Sequence, residues 1–446
     1  MNIIIAGDGE VGLHLAQELS SESHNITIVD PHEDLIRMVE SHSDLLAIKG
    51  DSTSVEVLRN ANVKKADLLI SVLHDERTNI VTASLGKQLG AKRSIARVNN
   101  LEYLIPTNLA LFNQMGIDSL VCPEDIAATE ITNLLRQTAA TEIFDFSGGK
   151  LFLFLIKLEE NAPVANKSLT QIAQEYSHLD YRAVAIHRNS KTIIPKGNDK
   201  IMANDLVYVI TKPGGIDHLL KLGGKTRIEI KNLMILGGGR VGRTTAKRLE
   251  KTLDIKLVEM DKEKSANLAN YLEDTLVIQG DGRDLQLLED EGISKTDAFI
   301  ACTNSSETNI LTCLHAKKLG VKRTIALVEN IDYIDISQNL GIDSVINKKL
   351  TTASYIVRFT MDAEVTSLKC LSGINAEVLE FVAKPHSAIT KKPIKDLNMP
   401  GGALIGGIIR GEDSFIAVGD FQVQENDKVV VFSLPEAIHK VDRLFN

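Results

Sequence analysis

A chain that carries the same strings twice at a fixed spacing has to fold as two copies of one plan, and that is the strongest constraint in these 446 residues. The string GDGEVG at 7–12 returns as GGGRVG at 237–242, an offset of 230. The same offset joins Gly50-Asp51 to Gly280-Asp281, Asp67 to Asp297, Thr78-Asn79 to Thr308-Asn309, and LGAKRSIARV from Leu89 to LGVKRTIALV from Leu319. It drops to 225 where MGIDSL from Met115 answers LGIDSV from Leu340, so the first copy absorbs five extra residues around 105–112. A weaker repeat follows at an offset of 222, between IIPKGNDKIMANDLVYVIT from Ile193 and FIAVGDFQVQENDKVVVFS from Phe415. The order is A-B-A′-B′. With only two copies and so long a period, each copy closes its own core instead of stacking as a solenoid.

In A, apolar runs at 3–6, 26–29, 45–48, 68–72, 94–98 and 119–121 alternate with helical patterns such as Val11, Leu15 and Leu19 on one face. That alternation predicts a doubly wound parallel sheet. Segment B has short alternating strands near 151–158, 183–187 and 206–211 and a helix near 169–176, the pattern of a small α+β lobe. The expected fold class is α/β, with two Rossmann-like parallel-sheet domains, each followed by a small α+β lobe, in tandem duplication. The expected boundaries are 1–137, 138–224, 229–360 and 361–446, with a linker at 223–231; a helix over 124–136 reads equally as part of A or of B.

A net charge of −9 argues against a nucleic-acid partner, which calls for a basic face. Cys122, Cys302, Cys313 and Cys370 form no C-x-x-C pair, so neither zinc nor a disulfide framework is expected, and a reducing cytoplasm fits. The N-terminus enters a strand pattern without a basic n-region. The strongest apolar run, 151–156, stops at Lys157, well short of the roughly 20 residues a membrane helix needs. Any membrane role comes through a partner.

Gly7, Gly9 and Gly12 lie between a strand and a helix, and Asp30 ends the next strand 18 residues later. These glycines serve a tight turn, close approach of backbone to pyrophosphate and close helix packing, while the helix N-terminus offers free N–H groups to phosphate. Asp8, Glu10 and Val11 complete the loop. Asp30 is placed to accept from adenosine ribose hydroxyls. Gly237, Gly238, Gly239, Arg240, Val241, Gly242 and Glu259 repeat the arrangement. The alternative is a vestigial Rossmann domain whose glycines only pack helix on sheet. An acid at Asp30 and Glu259 repels a 2′-phosphate, which favours NAD(H) or an adenine nucleotide over NADP. Asp51 and Asp281 read either as the adenine side of each pocket or as helix caps. Leu73-His74 and Thr303-Asn304 fall at the carboxyl edge of the fourth strands. Arg97 sits inside a strand-like run where its repeat mate is Leu327, and it reads as a phosphate ligand or as half of an ion pair. Lys92-Arg93 and Lys322-Arg323 read as solvated pairs ahead of strands.

Catalysis is not expected. His187 maps onto Ile409, and Cys302 and Cys313 map onto Val72 and Ala83, so none is a group common to both copies; the cysteines read as small buried apolar residues. His14 is explained by packing or exposure as well as by function, and no Ser-His-Asp order, H-E-x-x-H or P-loop lysine is present.

On the A-B-A′-B′ order, GDGEVG with Asp30, GGGRVG with Glu259, Thr78-Asn79 and Glu307-Thr308-Asn309, the IARV strand and the terminal VDRLF at 441–445, the chain resembles the TrkA family of peripheral regulators of Trk-type potassium uptake. That family consists of two tandem RCK (regulator of potassium conductance) units. The resemblance implies cytosolic binding of NAD(H) and of ATP/ADP, assembly into a ring-like homo-oligomer (a dimer or tetramer), and docking on a membrane potassium-translocating subunit at the inner face of the cell membrane. It points to Gly7 through Val11, Asp30, Leu73-His74 and Arg97, and to Gly237 through Val241, Glu259 and Thr303-Asn304. Family members often carry a second basic residue two positions after Arg97; Asn99 stands there in this chain. An RCK regulator of another cation channel or antiporter, or an NAD-dependent oxidoreductase, are the alternatives.

Overall fold

The structure is a computed structural model that describes the chain outside residues 8–9, 22–23, 35, 38–44, 137–141, 177–179, 189–190, 225–229, 361–364 and 371–375. The expected junctions at 137, 229 and 361 therefore lie outside the described residues.

The first sheet contains β1 (Asn2–Ala6), β2 (Asn25–Asp30), β3 (Leu46–Lys49), β4 (Leu68–Ser71), β5 (Arg93–Arg97) and β6 (Ser119–Val121), all parallel, in the order β3-β2-β1-β4-β5-β6. Its central strands are buried on both faces, which is why they read as continuous apolar runs. After one lobe the plan returns as β12 (Asn232–Leu236), β13 (Asp254–Glu259), β14 (Thr275–Gln279), β15 (Ala298–Ala301), β16 (Arg323–Leu327) and β17 (Ser344–Ile346), in the order β14-β13-β12-β15-β16-β17. Strand order reverses between β1 and β4, and again between β12 and β15, so each sheet has a crevice at its carboxyl edge.

The lobes repeat as closely. The first is the antiparallel sheet of β7 (Glu142–Phe146), β8 (Leu151–Lys157), β9 (Tyr181–Arg188), β10 (Lys191–Ile193) and β11 (Leu206–Thr211), ordered β10-β9-β11-β8-β7. The second has β18 (Val365–Cys370), β19 (Glu377–Val382), β20 (Ala403–Arg410), β21 (Asp413–Ile416) and β22 (Lys428–Ser433), ordered β18-β19-β22-β20-β21. Read from the opposite edge, the two orders are the same. In each, an arginine in a forked hydrogen-bond pair fixes the hairpin side: Arg188 with Asp205 at 2.7 and 2.6 Å, and Arg410 with Asp427 at 2.8 and 2.7 Å. The two sheets share one apolar core containing Phe146, Leu153, Tyr208, Ile210, Val378 and Phe432. Their close approach needs glycine, because a Cβ at Gly406 would stand 2.0 Å from the Ile210 Cδ1.

The chain divides into two compact units, one of residues 1–126 with 349–361 and the other of 127–348 with 362–446. The helix Pro123–Arg136 straddles that division. Its Ala127, Ile131, Leu134 and Leu135 lie in the core of the second parallel sheet, with Leu233, Ile235 and Val241. A helix that could be read as part of A or of B thus packs on A′. Among the described residues, no helix is long and apolar enough to cross a membrane.

An acid is repeated at the amino edge of each sheet. Asp297 accepts from the backbone N–H groups of Lys231 and Asn232 at 3.0 Å and pairs with Lys322 at 2.9 Å; Asp67 does the same with Asn2 and Lys92. Burial pushes the Asp297 carboxyl up, but the two N–H donors and the ammonium outweigh burial and hold it at about 2. Because the folded value lies below the unfolded one, this stabilisation is present above the ordinary carboxyl range and is lost as the pH falls toward 2. Asp297→Asn should therefore destabilise the protein at neutral pH, on the order of 2 kcal/mol, and flatten its acid unfolding between about pH 4 and 2. Denaturant titrations at several pH values measure both effects.

Candidate functional site

Each crevice is assembled by backbone hydrogen bonds that tie neighbouring strand ends together. In the first copy the N–H of Gly7 donates to Val29 at 3.3 Å, that of Gly50 to Asp30 at 3.0 Å, and that of Val72 to Ala6 at 2.8 Å. Gly7, Asp30, Asp51 and Leu73 are thereby gathered along one edge, with Val11 and Gly12 in the following helix Glu10–Ser21. Asp8 and Gly9 lie outside the described residues, as does the Glu10 side chain. A Cβ on Gly7 would stand 3.0 Å from the Gly12 Cα, so loop and helix touch there through bare backbone.

The second loop divides its glycines by task. Gly237 has φ of +105°, and a Cβ on it would stand 2.9 Å from the Cys302 carbonyl oxygen. A Cβ on Gly242 would meet the Gly237 carbonyl at 2.0 Å, so the helix Arg240–Leu249 can lie this close only without one. Nothing lies within 4 Å of a Cβ on Gly239, which is exposed beside Arg240 at the helix N-terminus and leaves room for a phosphate. Val241 is buried. Glu259 accepts from the N–H groups of Gly238 and Asp261, each at 2.9 Å, so one carboxylate joins the tip of β13 to the glycine loop. Asp30 is fully buried and accepts from the His32 N–H at 2.7 Å.

Asp51 and Asp281 are engaged in local turns. Asp51 accepts from the N–H and hydroxyl of Thr53, both at 2.8 Å, and these bonds lower its pKa. Asp281 is gripped by Arg283, with the closest contact 2.7 Å. The following helices are capped by Ser54 and Asp284 instead, so neither acid is a helix cap.

The residue that organises each crevice is one to which the sequence reading gave no role. Asn79 is fully buried: its Oδ1 accepts from the Leu73 N–H at 2.8 Å and the Ser71 hydroxyl at 2.9 Å, and its Nδ2 donates to the carbonyls of Leu73 at 2.9 Å and Arg97 at 3.0 Å. Asn309 does the same for the Thr303 N–H and carbonyl and the Leu327 carbonyl. The Thr-Asn repeat was the available signal. Leu73 is buried, Thr303 is half buried, and His74 and Asn304 stand exposed one residue further out.

Beyond this clamp the copies diverge. The Arg97 guanidinium makes no ion pair or hydrogen bond among the described residues, and its Nε is buried. The Oδ1 of Asn99 is likewise buried without a partner. Glu76 accepts from the N–H groups of Asn99 at 2.7 Å and Asn100 at 3.0 Å and so fixes this loop. In the second copy Leu327 lies in the apolar core, Ser306 replaces Glu76 and donates no charge, and Glu329 pairs with Lys348 at 2.7 Å. Arg323 also departs from expectation: it is buried, with a 3.0 Å bond to the Ser344 hydroxyl, because β16 begins at Arg323 itself. Cys302 and Cys313 are buried and free, and burial pushes the Cys302 thiol up to about 12. Among the described residues no cluster of His, Cys, Asp or Glu is arranged to hold a metal.

The family model of the TrkA-N domain matches residues 3–123 and 233–348, and that of the TrkA-C domain matches 153–223 and 378–446. The chain belongs to the TrkA family. It is 32% identical over 452 residues to the Trk system potassium uptake protein TrkA of Vibrio alginolyticus, covering 100% of this chain and 98% of that one. It is also 32% identical over 455 residues to TrkA homolog 1 of Methanosarcina mazei, covering all of both chains. Among solved structures it is similar to the GsuK RCK domain, with a TM-score of 0.61 at 19% identity over 100% of this chain and 94% of that one. The GsuK channel bound to NAD matches with a TM-score of 0.61 at 20% identity, over 100% of this chain and 78% of that one. Both likenesses speak for the fold: tandem RCK units.

The clamp is open to direct test. Asn79→Ala strands the Leu73 N–H and the two carbonyls in the interior and should cost roughly 2–4 kcal/mol in denaturant unfolding. Asn79→Asp keeps the acceptor but loses both donations, and an unchanged stability in either variant would show that the amide does not hold the two strand ends together.

Proposed function

We propose that the chain is the nucleotide-responsive regulatory subunit of a Trk-type potassium uptake system, binding NAD(H) and ATP or ADP and gating a membrane potassium-translocating subunit from the cytoplasmic face. The observation that carries the nucleotide part is Arg97, a cation without an anion at the carboxyl edge of the first sheet. Gly7 through Gly12 and Gly237 through Gly242 hold the pyrophosphate. Asp30 and Glu259 accept from the ribose, while Leu73-His74 and Thr303-Asn304 flank the crevice. A terminal phosphate reaching the tip of β5 meets the guanidinium fork of Arg97; at the tip of β16 it meets Leu327 and the acid Glu329. The first pocket therefore takes the ligand with more phosphate charge, and the second takes NAD(H). That NAD is named in the GsuK channel complex and ADP in another GsuK structure supports the ligand class. In this reading bound NADH is a regulatory ligand and is not consumed.

Arg97→Leu should narrow the ratio of ATP to ADP affinity at the first pocket in titration calorimetry and leave NADH binding at the second unchanged. Asp30→Ala should weaken nucleotide binding at the first pocket by roughly 1.5–3 kcal/mol, the range of a charged hydrogen bond. Equal wild-type affinities for ATP and ADP would remove Arg97 from the switch.

Assembly into a ring is supported by apolar residues that are exposed twice. Val55, Val81, Leu111 and Met115 in the first copy correspond to Leu285, Leu311, Ile336 and Leu340 in the second, and all are exposed, Leu311 by 66%. Leu285 and Leu311 flank a groove of about 440 Å³ with Arg283, Thr308, Thr312 and His315. Exposed apolar rows of this kind mark interfaces, and their presence in both copies suits a closed ring of repeated contacts. Leu311→Asp should shift the protein to smaller species in light scattering without lowering its unfolding midpoint. A wild-type monomer would sink the ring.

A further inference from the structure

The two crevices differ at the ribose end as well as at the phosphate end. In the first, the ring Nδ1 of His32 lies 3.0 Å from the Asp30 Oδ1, the oxygen that also accepts from the His32 N–H at 2.7 Å. Asp30 is fully buried, whereas the His32 ring is 65% exposed at the tip of β2. Beside Asp30 in the sheet stands Lys49, its register partner on β3. The other charged groups at this edge are Glu33, which pairs with Lys49 at 2.7 Å and with Arg37 at 3.4 Å, the exposed Asp34, and Asp51, which turns to Thr53.

The second copy fills the same two places differently. Two residues after Glu259 comes Asp261, whose carboxylate accepts from the Lys264 N–H at 2.7 Å, and the register partner of Glu259 is Gln279. An imidazole and an ammonium in the first crevice are thus replaced by a carboxylate and an amide in the second.

An ionised carboxylate only accepts, so the ring nitrogen that meets Asp30 is the one that carries a proton. The other ring nitrogen, Nε2, is then an acceptor while the ring is neutral and a donor once it is charged. We propose that His32 reads the 2′ position of the adenosine ribose in the first crevice, its neutral Nε2 accepting from a 2′-hydroxyl and its protonated Nε2 donating to a 2′-phosphate. The inference rests on the nucleotide reading of that crevice and adds a ligand class to it: a 2′-phosphorylated dinucleotide, NADP(H), is admitted as the pH falls. The charge of Asp30 that repels a 2′-phosphate is answered by the imidazolium it holds, with Lys49 alongside. Asp261 and Gln279 supply no such cation, so the second crevice refuses the 2′-phosphate at either pH.

The probes are NADH and NADPH, titrated into the full-length protein carrying Gly239→Glu, which closes the second crevice. Gly239 has φ of −63° and ψ of −175°, and nothing lies within 4 Å of a Cβ there, so the fold accepts the side chain while its carboxylate fills the phosphate position. An imidazole gains its proton between about pH 8 and about pH 6. Over that range the affinity for NADPH relative to NADH should rise by up to about tenfold, one unit of coupling between proton and phosphate. The 2′-phosphate takes up a proton of its own near about pH 6, so the share due to His32 is what His32→Asn removes. A ratio that changes equally with and without His32 overturns the inference and leaves the nucleotide site standing; binding of neither dinucleotide at either pH overturns both. If Gly239→Glu does not fold, the His32 ring resonance in the wild-type protein decides. By reciprocity, saturating NADPH should raise its titration midpoint above that found with NADH, and equal midpoints overturn the role of His32.

Discussion

One buried amide at the end of two neighbouring strands sets the geometry on which both crevices depend. A parallel sheet ends at its carboxyl edge in carbonyls and N–H groups that have lost their ladder partners, and interior groups of that kind must be satisfied. Asn79 supplies two donors and an acceptor at that point, joining Leu73 on one strand end to Arg97 on the next, and Asn309 repeats the bond set between Thr303 and Leu327. The strand tips cannot then splay. On the proposed function, a phosphate arriving from the glycine loop would meet a floor that is already in place, and little ordering would remain for the ligand to bring about.

With the floor held in common, divergence is confined to what projects from it. Position 97 is arginine where position 327 is leucine, and Glu76, which fixes the first loop through two N–H groups, gives way to Ser306. The second edge carries an ion pair of its own, because Glu329, which stands where the first copy has Asn99, is held by Lys348 at 2.7 Å. Duplication makes this economical: a single backbone plan carries two crevices whose edges hold different side chains within one chain, and neither has to compromise its sheet to become different.

Much of this was legible in the sequence because the repeat doubles every signal. The six parallel strands of each copy follow apolar runs, and the glycine loops follow their spacing. The lobe helix Leu169–Glu175 falls where its sequence pattern puts one, and the structure shows it capped by Ser168 and Gln171. Three things were not legible. The helix Pro123–Arg136 has an apolar face that suits any neighbour, so only the fold shows that Ile131 and Leu135 belong to the core of the second sheet. Arg323 looked solvated because its polarity says nothing about where the strand begins, and the strand begins on it. The roles of Asn79 and Asn309 were hidden because a buried asparagine is recognised by its partners, which are backbone groups with no residue identity.

The lobes extend the duplication from charge to packing. They meet through a shared apolar core and through polar ties such as the Ser147 hydroxyl on Glu380 at 2.9 Å and Lys150 on the Gly411 carbonyl at 2.7 Å. Close packing of that kind transmits displacement, because interiors are no looser than crystals of small molecules. A ligand moves a conformational equilibrium only by its unequal affinity for the two states. On the proposed function, a nucleotide whose terminal phosphate engages Arg97 would discriminate between states in which the guanidinium is differently placed, whereas one that ends short of it would not. On the proposed function, what would make the first copy responsive is therefore not how tightly it binds but that one of its contacts reaches Arg97, where the second copy has buried Leu327.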